Sequence, residues 1–146
     1  MRPARRLKRF LVFATGCAAA TAVLVGAQEP SSRSVWQGVY TAGQSERGRS
    51  VYQASCGQCH GETLGGDIGP TLTGPFWSIW DGRTAAELFK TIRTTMPADA
   101  PESLKPQEYA DLVTYLFSVN KFPAGETELP ADQAALENIK ILKQSP

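Results

Sequence analysis

Histidine is nearly absent from this sequence: among 146 residues there is one, His60. Cysteine and methionine are scarce as well, and beyond residue 27 they reduce to Cys56, Cys59 and Met96. A structural zinc site normally takes four Cys or His ligands, so this set cannot close one. Sustained alternation of apolar and polar residues is missing, and so is any internal repeat, so the chain reads as helices and loops. Runs of positive charge are missing beyond Arg9; the later basic residues are scattered and offer no stripe to a nucleic acid.

What is present begins with Arg2, Arg5, Arg6, Lys8 and Arg9, followed by an almost uncharged stretch from Phe10 to Ala27. A basic start, an apolar run and the small residues Val25-Gly26-Ala27 form the layout of a secretory leader, with cleavage expected after Ala27. An uncleaved anchor is the alternative, since about 18 apolar residues is near the lower limit for a membrane span. A lipid-attachment site at Cys17 is a minor reading, because the apolar run continues past it. Cleavage would leave a periplasmic protein without stable membrane insertion. Five of the 15 basic residues leave with the leader and none of the 14 acidic ones, so the net charge moves from +1 to −4. That balance argues against nucleic acid or an anionic membrane as partner and for a cationic patch on any docking protein. The remaining chain fits one small domain, whose limited core a bound apolar cofactor would extend.

Residues 28–44 mix Pro, Ser and Gly with the isolated pairs Val35-Trp36 and Val39-Tyr40, and read as an extended arm. A first helix is expected from Ser45, as its cap, toward Cys56, with Val51 and Tyr52 on its core face. Gly48 inside it costs about 1 kcal/mol of helix propensity, which is accounted for if another helix crosses closely there. Gly57 to Gly82 is glycine-rich, with Pro70 and Pro75, and a loop of that length usually wraps something. Thr84 and Glu87 form a capping-box pattern ahead of Ala85, Leu88, Phe89 and Ile92, and Pro97 ends that helix near Met96. Pro106 opens a third helix to about Val119, with Tyr109, Leu112, Val113 and Leu116 as its apolar stripe. Residues 45–120 thus form the expected domain, followed by an extension, 121–146, with a weak amphipathic stretch from Ala131 to Leu142.

Cys56-Gly57-Gln58-Cys59-His60 is the C-x-x-C-H pattern of covalent c-type haem attachment. Two thiols at this spacing can add to the two vinyl groups on one porphyrin edge while the adjacent imidazole reaches the iron. A thioredoxin-like redox pair shares the C-x-x-C but belongs on a βαβ unit, which this chain does not resemble. A plain disulfide would leave His60 without a purpose.

With His60 on one side of the iron, the sixth position decides between electron transfer and chemistry. Met96 is the candidate, since His/Met ligation is the usual carrier arrangement, although a methionine continuing the stripe of Leu88 and Ile92 is ordinarily core filler. Lysine coordination or an open position are the other options. A metal-bound imidazole generally donates its other N–H to a carbonyl or carboxylate. The Pro70 carbonyl is the candidate acceptor, with Leu72 against the porphyrin. Trp77, Trp80 and Arg83 are candidate donors to the haem propionates, against simple core packing for the tryptophans.

Gly48 and Tyr52, the C-x-x-C-H, Gly69-Pro70, Thr95-Met96-Pro97 and Leu112-Val113-Thr114-Tyr115-Leu116 together resemble a class I mono-haem cytochrome c. The resemblance covers roughly residues 45–119. It implies an all-α fold of three main helices and long loops around one covalent haem c. It also implies that the first and last helices cross at Gly48 against Leu112 or Tyr115, that the Pro70 carbonyl accepts from His60, and that Met96 is the distal ligand. The stretch from Phe76 to Arg83 and the sequence Phe122-Pro123-Ala124-Gly125 are similar to small bacterial cytochromes associated with quinoprotein dehydrogenases. The expected function is one-electron transfer from such a periplasmic dehydrogenase to a terminal oxidase or another cytochrome, with no catalytic residue. The rivals are a haem enzyme or gas binder with an open sixth position, and a cytochrome subunit fixed in a larger complex.

Overall fold

The computed structural model describes residues 32–143, so the basic leader, Cys17 and the cleavage position lie outside the described residues. Helix α1 runs Ala42–Ser55 and is capped by Thr41, whose hydroxyl accepts from the Gln44 amide at 3.1 Å. It therefore begins earlier than the expected Ser45. Ser45 is buried in the first turn, where its hydroxyl donates to the Ala42 carbonyl. The reason is tertiary. Gln44 is fully buried, and its amide donates to the Leu129 carbonyl at 2.9 Å and accepts from the Leu129 amide at 2.7 Å, so the extra turn is held by the tail.

After two short helices, α2 (Gly57–His60) and α3 (Phe76–Trp80), come the other long ones, α4 (Ala85–Thr95) and α5 (Pro106–Val119). The α4 capping box forms as expected: the Thr84 hydroxyl accepts from the Glu87 amide and the Glu87 carboxylate accepts from the Thr84 amide. The Glu87 carboxyl is held below its ordinary range, first by that amide bond and then by Arg83. Met96 closes α4 with its amide on the Ile92 carbonyl.

Helices α1 and α5 cross at Gly48. A β-carbon there would fall on the Asp111 carbonyl and lie 3.0 Å from the Tyr115 β-carbon, so only glycine lets the backbones approach. Of the expected alternatives, Leu112 or Tyr115, Tyr115 is among the nearest groups, behind the backbone carbonyl of Asp111. Beside the crossing, the guanidinium of Arg47 holds the buried Asp111 carboxylate at 2.8 and 3.2 Å and reaches Glu128 in the tail at 2.9 Å.

The arm and tail pack together against the helices. Arg33–Ser34 (β1) pairs in parallel with Ile139–Lys140 (β2), Arg33 opposite Ile139, a strand pair too short to show in sequence periodicity. Instead of a fully extended arm, Val35–Gln37 forms a 3-10 turn capped by Ser34. The Tyr40 hydroxyl donates to the Phe122 carbonyl at 2.7 Å, and the Trp36 indole donates to that of Leu142 at 2.8 Å. The weak amphipathic stretch contains a short helix α6, Gln133–Leu136, and then β2. Leu129, Leu136 and Ile141 are fully buried in the same core as Tyr109 and Phe117.

Candidate functional site

Cys56 sits at the joint of α1 and α2, its amide on the Tyr52 carbonyl at 2.8 Å; the single turn that follows presents Cys59 and His60. Tyr52 is buried, and its hydroxyl donates to the Gly61 carbonyl at 2.6 Å, fixing the chain just past His60. Burial first, then the neighbouring Cys56 and Tyr115, push the Tyr52 hydroxyl up to about 12, so it stays a donor at any ordinary pH. The loop beyond folds back on the same turn: the Gly66 amide donates to the His60 carbonyl at 2.9 Å and the Gly69 amide to that of Cys59 at 2.8 Å. Gly61 and Gly66 take positive φ of 77° and 89° to make these reversals.

That fold-back brings the Pro70 carbonyl 2.8 Å from Nδ1 of His60. A carbonyl only accepts, so Nδ1 carries a proton, which leaves Nε2 as the nitrogen with which a neutral imidazole would ligate a metal. His60 is buried, Cys56 half-buried and Cys59 exposed. The two thiols are free, and burial with the nearby Cys59 pushes the Cys56 thiol up to about 11. A catalytic dithiol lowers its attacking thiol, so the redox-pair reading has no support in this site.

Cys56, Cys59, His60, Pro70, Leu72, Trp80 and Met96 line one cavity of about 780 Å³. Its walls are otherwise largely apolar, completed by residues that the site reading had not singled out, chiefly Phe76, Ile92, Leu112 and Leu116. Three of these stood in the helical stripes, but periodicity marks a buried face without saying whether protein or cofactor covers it. Asn120 donates to the Leu72 carbonyl at 3.1 Å and ties that side of the cavity to the end of α5. Trp77 and Arg83 do not line the cavity. Trp77 packs on Phe117 and Phe122, with ring centres 5.6 and 5.1 Å apart. Arg83 pairs with Glu87 at 3.1 Å and stacks over the Trp80 ring at 5.0 Å. Trp80 does line the cavity, and the buried Nε1 atoms of Trp77 and Trp80 alike have no hydrogen-bond partner. No three His, Cys, Asp or Glu side chains among the described residues group to hold a metal ion by themselves.

Residues 43–116, just over half of the chain, match the family described as cytochrome c oxidase, cbb3-type, subunit III. The chain belongs to the cytochrome c family. It is 35% identical over 75 residues to a cytochrome c-553-like protein of Synechocystis sp., covering 51% of this chain and 68% of that protein. It is 31% identical over 72 residues to cytochrome c-L of Methylorubrum extorquens, covering 47% of this chain but 36% of the relative. No solved structure matches the chain.

The mostly helical architecture is that of a class I cytochrome c, whose cofactor is covalent haem c. The site fits that group on its own terms. Two thiols stand at the attachment spacing, beside an imidazole whose Nδ1 is engaged by the Pro70 carbonyl. A mostly apolar cavity in the roughly 300–1,000 Å³ range of cofactor sites holds them together. The cytochrome is thus a haem c protein of an electron-carrying family.

Among the described residues no helix is long and apolar enough to cross a membrane.

Proposed function

We propose that this cytochrome is an exported one-electron carrier, with His60 and Met96 as its axial ligands and a periplasmic quinoprotein dehydrogenase as its electron donor. The observation that carries the ligand reading is that His60 and Met96 line the same cavity in a chain with no second histidine and, past Met1, no second methionine. When bound, the haem supplies a one-electron Fe(III)/Fe(II) couple, and a thioether ligand raises its potential. The protein's part is to hold and shield. Cys56 and Cys59 anchor the porphyrin edge. Pro70 keeps His60 in one tautomer. Leu72, Phe76, Leu112 and Leu116 keep water away. Trp80 adds its ring to the cavity wall. The basic and apolar leader supports export, and the similarity of residues 76–83 and 122–125 to dehydrogenase-associated cytochromes supports the donor class.

Two measurements test this reading. Denatured protein made alongside a haem-attachment system should keep its colour, and Cys56→Ala or Cys59→Ala should weaken or abolish it; a colourless wild-type polypeptide removes covalent attachment. The oxidised wild type should show the weak far-red sulfur-to-iron band, which Met96→Ala should abolish while opening the iron to carbon monoxide or cyanide. Fast carbon monoxide binding to the unmutated reduced protein would instead support a haem enzyme or gas binder.

A further inference from the structure

We infer that the Tyr109 hydroxyl positions Met96, pinning the ligand-bearing end of α4 to α5 and so setting how often the sixth position opens. This rests on Met96 as the sixth ligand. The reasoning starts from the end of α4. The Met96 amide completes the helix on the Ile92 carbonyl at 2.8 Å, but its own backbone is extended, at φ −131° and ψ 147°, and Pro97 cannot continue the ladder. The Met96 carbonyl is therefore one of the orphaned acceptors at a helix terminus. Among the described residues its donor is Tyr109, with the hydroxyl at 2.9 Å.

Tyr109 suits this role because it is fully buried and set edge-on to Phe89, ring centres 6.4 Å apart, in the first turn of α5. The other bonds around the ligand segment lead back to α4 or stay within the loop. The Glu102 amide donates to the Arg93 carbonyl at 3.0 Å, the Arg93 and Glu102 side chains meet at 3.5 Å, and the Ala100 amide donates to the Pro97 carbonyl at 3.0 Å. Those bonds can move with α4 as a unit. The Tyr109 bond cannot, because α5 is locked to the attachment helix α1 through the Gly48 crossing. His60 is held by its own turn and by Pro70, whereas Met96 is half-exposed and its carbonyl reaches α5 through this hydroxyl.

A partly buried hydrogen bond of this kind contributes roughly 1 kcal/mol net. If it is lost only in the methionine-released state, Tyr109→Phe should raise the population of that state about three- to tenfold. The experiment is cyanide binding to the oxidised holoprotein, taken to the limit where the rate no longer rises with cyanide and reports methionine release. Tyr109→Phe should speed that limiting rate about three- to tenfold while keeping the far-red band at low temperature.

The control is Tyr40→Phe, which deletes a buried tyrosine's hydroxyl bond to a carbonyl, at 2.7 Å from Phe122, away from the cavity. It should lower thermal stability by a similar amount and leave the cyanide limit unchanged. A Tyr109→Phe limit equal to wild type, or an equal acceleration in Tyr40→Phe, overturns the positioning role while methionine ligation stands. A wild type without the far-red band overturns ligation itself and the positioning role with it, so the two failures are told apart on the unmutated protein.

Discussion

A β-carbon at Gly69 would lie 2.9 Å from both Cε1 and Nδ1 of His60, which is closer than carbon atoms tolerate. Glycine there lets the chain pass over the imidazole and deliver the next carbonyl, that of Pro70, to Nδ1. Gly69→Ala should therefore push the ring away from Pro70 and weaken a bond that makes the imidazole more basic. A less basic ligand supports Fe(III) less well, so the reduction potential should rise while Cys56 and Cys59 still retain the haem. Redox titration of the variant checks the direction; an unchanged or lower potential means the Nδ1 bond does not tune the iron. The carbonyl acceptor of His60 was readable in the sequence, because a metal-bound histidine needs a partner for its second nitrogen. The need for glycine one residue earlier was not, since it depends on the ring and the loop meeting in space.

At the scale of elements, the tail belongs to the core. Phe122, Leu129, Leu136, Ile139 and Ile141 are all buried. At about 2 kcal/mol for each buried apolar side chain, ending the chain at Asn120 should cost on the order of 10 kcal/mol, as much as a domain of this size has to lose. The truncated holoprotein should unfold at far lower temperature than wild type, followed by the helical circular dichroism signal. An unchanged midpoint would mean that the arm and tail form a separable unit. The three long helices were legible from caps and apolar spacing: Thr84 with Glu87, Pro97 as a stop, and Pro106 as a start. The first turn of α1 and the two-residue strands were not. Both are held by partners far away in the chain, Gln44 by Leu129 and Arg33 by Ile139, and no local pattern encodes such a pairing.

For the whole molecule, the relevant quantity is net charge. Residues 28–146 carry −4 and haem propionates would add to that, so, if residues 1–27 are removed on export, association with a donor bearing a basic face should be steered over long range. Stopped-flow reduction by a periplasmic quinoprotein dehydrogenase should slow as salt rises, most steeply up to about 0.15 M, where the screening length has fallen to roughly 8 Å. A rate indifferent to salt would remove electrostatic steering and leave the haem assignment untouched. Because the tail is packed inside the fold, the surface offered to the donor is better sought around the exposed Cys59 at the cavity edge.

By itself, the sequence determined the chemistry and the helical skeleton: one C-x-x-C-H, one histidine, one late methionine, and three stretches of helical spacing bounded by caps and prolines. These are local facts, settled by which residues are neighbours along the chain. Only the tertiary structure decided that Trp80 faces the cavity while Trp77 packs against Phe117 and Phe122, and that Arg83 turns to Glu87. It also decided that the arm and tail close over the same core, and that a tyrosine of the last long helix holds the methionine carbonyl. The physical reason is that an aromatic or charged side chain goes to whichever partner the folded backbone brings within a few ångströms, and residues distant in sequence supply that partner.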